Sequence, residues 1–369
     1  MKLVKRIFKW IGTVILVVVL AGGLYLFVSY WQSSNDCDRN TAAPTHPMKA
    51  IRKCEYGTVT LRTVEKPIPT DDQILVKVRA ASLNAADGHL LRGSFVMRPV
   101  SGMRTPKDSR FGIDCAGTVE AVGKNITQFK PGDEVFGVAN GAIAEYACAA
   151  ERTLVTKPAN ITFEQAGSVG VAGLTALQGL RNHGNVQPGQ KVLVNGASGG
   201  VGTFAVQIAK ALGAEVTAVC SPRNLEQARS MGADHVIDYT KEDFTQGDQH
   251  YDVIFDNVGN HSIAERRRVM TPNGICVLAG MGSAGKHEGQ LTRIAGNLKA
   301  FVVSPFISQK FKMYIAKTLK ADLTALRDLI QEGKLTPVID RQYPMSETAE
   351  ALRYLEEGHA RGKIVITIE

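Results

Sequence analysis

Closely spaced cysteines are missing from this chain. Its six cysteines stand singly at Cys37, Cys54, Cys115, Cys148, Cys220 and Cys276, with no C-x-x-C pair. That spacing suggests neither a disulfide framework nor a zinc ribbon. Long blocks of one charge are missing too. Lys2, Lys5, Arg6 and Lys9 supply four of the +8 formal charges, leaving the remainder near +4, and no run of five like charges follows. No nucleic-acid surface is indicated. There is no internal repeat and no low-complexity tract. With 44% hydrophobic and 21% charged residues, disorder and collagen-like repetition are excluded, and 369 residues suffice for two ordinary domains.

Charge is absent altogether from Trp10 to Asn35, and Ile11 to Val28 is almost wholly apolar. That length matches the roughly 20 residues needed to cross a bilayer. Trp10 at one end, and Tyr30 with Trp31 at the other, sit where amphipathic rings favour the headgroup level. A cleaved signal peptide has an apolar core of about 7–15 residues, shorter than this one. The segment, residues 10–31, reads as a retained single-pass anchor, with cleavage and a buried core helix as alternatives. Four positive charges before the span against Arg39 after it place the N-terminus in the cytosol and the body outside. Unpaired cysteines argue the other way, and the reading leans to the cytosolic face. Asn125-Ile-Thr127 and Asn160-Ile-Thr162 match the glycosylation triplet but decide nothing.

Residues 32–47, polar and carrying Pro44 and Pro47, read as a tether. From Met48 short strands dominate: Gln73 to Arg79 alternates with a β period, and Cys115 to Val122 resembles it. After about residue 168 the rhythm becomes strand, glycine turn, helix, strand. Lys191 to Asn195, Glu215 to Cys220, Tyr251 to Phe255 and Ile275 to Ala279 read as buried strands. Thr203 to Leu212 reads as a helix closed by Gly213. The fold class expected is α/β: a doubly wound parallel sheet and a mostly β domain, preceded by one transmembrane helix. The boundaries expected are 1–47 anchor and tether, 48–167 β domain, 168–304 nucleotide domain, and 305–369 return to the β domain.

The informative stretch is Lys191-Val-Leu-Val-Asn-Gly-Ala-Ser-Gly-Gly-Val-Gly202, with A-x-G-x-x-G at Ala197, Gly199 and Gly202. Small residues there let the backbone approach a pyrophosphate, and the following helix aims its free N–H groups at the anion. The strand before and the amphipathic helix after supply the context the motif needs. An NAD site carries a carboxylate at the end of the second strand, about 20 residues on. Here the sequence reads Cys220-Ser221-Pro222-Arg223-Asn224, with no acid. Ser221 donates a hydrogen bond and Arg223 pairs with a 2′-phosphate, which favours NADPH. The competing reading of Arg223 is a solvated loop charge.

From Met48 to Glu369 the chain resembles the medium-chain dehydrogenase/reductase superfamily, in its zinc-free quinone oxidoreductase-like branch. The resemblance rests on Ser82-Leu-Asn-Ala-Ala-Asp87, Gly112-Ile-Asp-Cys-Ala-Gly-Thr-Val119, Lys130-Pro-Gly-Asp-Glu-Val135 and Gly173-Leu-Thr-Ala176. The glycine loop, Gly232-Ala-Asp234, Ile237-Asp-Tyr239, Asp256 with Gly259, and Gly362-Lys-Ile-Val365 complete it. It implies a Rossmann domain and a GroES-like catalytic domain. It implies that Ala197, Ser198, Gly199, Gly200, Val201 and Gly202 hold the pyrophosphate, and that Ser221, Arg223 and Tyr239 meet the 2′-phosphate. Thr175, Val258, Gly280 and Met281 would lie toward the nicotinamide, with Asn84 and Asp87 on the substrate side as catalytic residues. Pro222 departs from the usual phosphate loop.

Zinc alcohol dehydrogenases are relatives, but a catalytic zinc needs three side-chain ligands. Asn84 stands where the resemblance puts the first cysteine ligand, Ile113 replaces the histidine, and Ala166 to Leu180 contains no Cys, His, Asp or Glu. A lone His89 reads as a surface residue rather than a ligand. The implied activity is NADPH-dependent reduction of a small lipophilic quinone or α,β-unsaturated carbonyl. The alternatives are an enoyl-thioester or alcohol reductase of the same fold, and a membrane-tethered NADPH-binding adaptor or sensor. Relatives commonly pair sheet edges as homodimers, and Phe301-Val302-Val303 could supply such an edge.

Overall fold

The computed structural model describes residues 43–93, 98–279 and 308–369, together with residues 10, 21, 23–25, 27, 28, 30 and 37. Two sheets organise the body. The first has six strands, all parallel: Lys191–Asn195, Glu215–Cys220, His235–Asp238, Tyr251–Asp256, Met270–Ala279 and Lys310–Tyr314. Their spatial order is third, second, first, fourth, fifth, sixth. The order reverses between Lys191–Asn195 and Tyr251–Asp256, and a crevice opens outside the carboxyl ends of such a pair. Covered by helices on its faces, this sheet needs no polar alternation: Val192, Leu193 and Val194 are all buried, as continuous apolar runs in parallel sheets are.

The helix after the first strand runs Gly200–Ala211, three residues earlier than the apolar spacing places it. Phe204 and Ile208 are fully buried against the sheet, worth about 1.5–3 kcal/mol each. Gly213 ends the helix at φ +83°, a conformation that disfavours any side chain. Two limits move. The strand Lys310–Tyr314 completes the nucleotide sheet, and Leu323, Leu326 and Ile330 of the helix Lys320–Gln331 join its core. The nucleotide unit therefore runs past residue 304.

The second sheet has seven strands, mostly antiparallel, and includes Gln73–Leu83, Asp114–Val122, Glu134–Val138 and Lys363–Thr367. Gln73–Leu83 lies against both Asp114–Val122 and Lys363–Thr367. This contact brings the last strand of the chain beside residues 82–84.

One expectation is corrected here. Cys37 and Cys54 form a disulfide, Cα to Cα 5.8 Å, so the cysteines are not all unpaired. Wide spacing concealed the pair, because seventeen residues of tether and strand separate two cysteines that carry no motif. Of the described residues of the apolar segment, Trp10, Leu24, Tyr25, Phe27, Val28 and Tyr30 are exposed. Among the described residues no helix is long and apolar enough to cross a membrane. Residues 11–20, 22, 26, 29 and 31 of the expected anchor lie outside the described residues, as do Phe301, Val302 and Val303.

Candidate active site

Two polar clusters stand at strand ends, one in each sheet. The first sits at the reversal of strand order. Asn195 ends the first strand and Asp256 ends the fourth, and Asn195 Nδ2 donates to Asp256 Oδ1 at 2.9 Å. The same oxygen accepts the backbone N–H groups of Val258 at 3.1 Å and Gly259 at 2.9 Å. Arg266 Nε donates to the other carboxylate oxygen at 2.7 Å, and both partners of this ion pair are buried. A buried carboxylate of this kind is stable only with its acceptor sites filled. Here that filling shapes the loop that follows the strand.

Beside this clamp lies a cavity of about 520 Å³, lined by Ser198, Gly199, Cys220, Ser221, Arg223, Tyr239 and Val258 among others. Six of the expected cofactor residues are thus brought together. Gly199 starts the helix with extended backbone, and a Cβ there would meet only Gly196 O, at 3.7 Å. Gly202 serves packing instead: a Cβ there would fall 2.0 Å from Gly196 O. Ala197, Gly200, Val201 and Gly202 stand outside the cavity lining. Thr175 is committed elsewhere, its hydroxyl donating to Val171 O at 2.7 Å within its own helix and its carbonyl accepting from Tyr314. Gly280 and Met281 lie outside the described residues.

Arg223 donates to His359 O at 2.6 Å, so the C-terminal loop braces the guanidinium at the cavity wall. Ser221 Oγ accepts from Asn224 Nδ2 at 2.9 Å. Glu242 also lines the cavity, a carboxylate arriving from a later loop that the strand-end spacing did not indicate. The dinucleotide fits these residues: a glycine turn at a helix N-terminus, no close contact beside Gly199, and a braced arginine beside a hydroxyl.

The second cluster is buried. Asn84 precedes the helix Ala85–Arg92, and its backbone N–H donates to Asp87 Oδ2 at 2.8 Å, closing the first turn. Asp114 opens its strand fully buried. Its Oδ2 accepts from Ser82 Oγ and Asn84 Nδ2, both at 2.9 Å, and its Oδ1 accepts from Val171 N at 2.7 Å. Into this group reaches Lys363, 2% exposed. Its Nζ donates to Asn84 Oδ1 at 2.7 Å, Leu83 O at 3.1 Å and Asp114 Oδ2 at 3.3 Å. Burying an ammonium costs several kcal/mol unless it is paired and hydrogen-bonded, and here three acceptors surround it. Lys363 stood in a quoted motif but carried no role; only the pairing of first and last strands brings it to Asn84. Its stem reaches the nucleotide side, since a Cβ on Gly200 would lie 3.1 Å from Lys363 Cδ.

Burial, reinforced by the charge of Asp114, raises the Asp87 carboxyl to about 7, against the lowering effects of the Asn84 N–H and Lys363. Between its ordinary range and that value, the native state binds the proton that the unfolded chain has released. Stability therefore falls as pH rises from about 4 to about 7, and levels off above. Asp87→Asn should flatten this slope, so that urea midpoints measured near pH 5 and near pH 8 differ less than in the wild type.

Residues 70–159 match the alcohol dehydrogenase GroES-like domain, and residues 231–366 match the zinc-binding dehydrogenase family. An NADPH-dependent alkenal/one oxidoreductase of Arabidopsis thaliana chloroplasts is 33% identical, over 91% of this chain and 84% of its own. The human quinone oxidoreductase is 31% identical over 87% and 98%. The chain belongs to the medium-chain dehydrogenase/reductase superfamily. The quinone oxidoreductase from Coxiella burnetii superposes with a TM-score of 0.75 at 30% identity, covering 88% of this chain and all of that one.

Some members of the superfamily carry zinc, as the name of one matched family says. The residues here do not fit it. Asn84 and Asp114 both hydrogen-bond the Lys363 ammonium, a cation already supplied by the chain. Among the described residues no group of three His, Cys, Asp or Glu side chains could hold a metal.

Proposed function

We propose that this chain transfers a hydride from NADPH to a quinone or an α,β-unsaturated carbonyl, without zinc. The observation that carries the reading is the fixed amide of Asn84. Its Oδ1 is held by Lys363 and one Nδ2 hydrogen by Asp114, which sets the amide's orientation. An asparagine amide has two N–H donors, so the other is left for a substrate. Bound NADPH supplies the hydride. As hydride arrives at the electron-poor carbon, negative charge builds on the substrate oxygen, as an enolate or hydroquinone anion. The Asn84 N–H stabilises that oxygen, and a donor preset in a dry site needs no reorganisation as charge develops. Asp87 closes the turn that positions Asn84, and solvent provides the final proton. Relatives named for alkenal/one and quinone reduction support the substrate class.

Steady oxidation of NADPH by phenanthrenequinone or a simple enone, undiminished by EDTA, tests the reading. Binding without turnover would leave the adaptor reading, and turnover lost to EDTA and restored by zinc would defeat the metal-free one. Arg223→Ala should narrow the preference for NADPH over NADH by about 1–2 kcal/mol, the scale of a charge-assisted hydrogen bond. Titration of cofactor fluorescence measures it.

The apolar segment of residues 10–31 anchors the body to a membrane in this reading, and release of the whole chain by alkaline carbonate would count against it. The body pairs as a homodimer through the edge of the nucleotide sheet. Lys310–Tyr314 is the last described strand there, with Met313 exposed on it and Ile315 just beyond. Light scattering at micromolar concentration that gave a monomer mass would remove this part.

A further inference from the structure

We infer that the Cys37–Cys54 disulfide is formed in an oxidising compartment, and that the catalytic body therefore lies on the non-cytosolic side of its membrane. Three independent features meet here. The bond joins the tether to the residues just after the strand Pro47–Arg52, where Lys53 N donates to Ser109 O at 2.8 Å and fixes that segment to the body. Disulfides of this structural kind persist outside the cytosol and are rare within it.

The second feature is the state of the other four cysteines. Cys115, Cys220 and Cys276 are buried and Cys148 half-buried. Burial pushes the Cys115 and Cys220 thiols up to about 12 and 11, and raises those of Cys148 and Cys276 too. Such thiols are poor partners in exchange chemistry, which proceeds through the thiolate. The chain thus withholds four thiols from oxidation and pairs the other two, as a protein folding among oxidants needs.

The third is charge. Lys2, Lys5, Arg6 and Lys9 precede the apolar segment, while Arg39 alone is basic between its end and residue 48. Juxtamembrane lysine and arginine favour the cytosolic side. Unpaired cysteines would favour a cytosolic body, and two of the six are paired. With that premise removed, charge and disulfide agree.

The chemistry balances by exchange. The thiolate of one cysteine attacks a donor protein disulfide, and the second thiolate displaces that donor from the mixed disulfide. The Cys37–Cys54 bond forms as the donor leaves as a dithiol, carrying the two electrons and two protons. The dinucleotide must then be present on the same side.

The test uses the full chain in its own membranes. After denaturation, a maleimide–polyethylene glycol reagent should add to four thiols without reduction and to six after it. Cys37→Ser should show five in both cases. Six reactive thiols before reduction would overturn the inference. A protease is then added to vesicles sealed with their cytosolic face outward. The body should survive until detergent is added; digestion without detergent would overturn the inference even with the disulfide present.

Discussion

Lys363→Met is expected to produce the largest loss of any single change in the buried cluster. Methionine matches the stem but removes the charge, leaving Asp114 buried with two neutral side-chain donors and one backbone N–H, and Asn84 Oδ1 without its partner. Breaking a buried pair in this way costs about 3–5 kcal/mol. Molecules that fold should lose turnover by about 10²–10³, the range for removing a preset donor to a developing oxyanion, because the amide of Asn84 is free to flip. Urea unfolding and steady-state kinetics read the two effects separately. Lys363→Gln retains a donor toward Asn84 and should fall between wild type and Lys363→Met in both. Wild-type kcat in Lys363→Met would remove this lysine from the site.

Gly199→Ala and Gly202→Ala are expected to fail in opposite ways, three residues apart. A methyl at Gly202 meets Gly196 O at 2.0 Å and the Ala197 carbonyl carbon at 2.7 Å, main-chain atoms that have nowhere to go. That substitution should cost about 1–3 kcal/mol or more of stability, by overpacking. At Gly199 the nearest atom is Gly196 O at 3.7 Å, an ordinary contact. The protein should unfold within about 0.5 kcal/mol of the wild type. Yet the methyl stands where we place the pyrophosphate, at the helix N-terminus, so NADPH should bind at least about tenfold more weakly, or about 1.4 kcal/mol. Full affinity in a folded Gly199→Ala protein would displace the proposed phosphate position.

Much of this was legible because the physics is local. Lys191–Asn195 and Glu215–Cys220 are short apolar runs bounded by glycine or by a following Ser-Pro, and a parallel strand covered on both faces has no other pattern to show. The glycines of the phosphate turn are read from their immediate neighbours. Lys363 is different. It looks like an ordinary strand-opening lysine until antiparallel pairing sets Ile364 opposite Leu83 and carries its ammonium to Asn84. Nothing within a window of residues reports that meeting. Cys37 and Cys54 escaped for the same reason. Thr175 adds a contact that no motif reports: its hydroxyl donates to the carbonyl four residues back. A residue position carried over from relatives says nothing about that contact.

With residues 10–31 held in a membrane as proposed, the disulfide also sets how far the body strays from the lipid. Counted along the chain, sixteen residues separate Trp31 from the first paired strand residue, Pro47, a leash of about 55 Å when extended. The bond at Cys37 leaves six residues, about 20 Å. A globular body on so short a leash cannot tumble freely, and it meets its surroundings as a plane rather than a volume. A lipophilic quinone or enone partitions into that plane. Cutting the disulfide should therefore hurt turnover of membrane-dissolved substrates while sparing water-soluble ones.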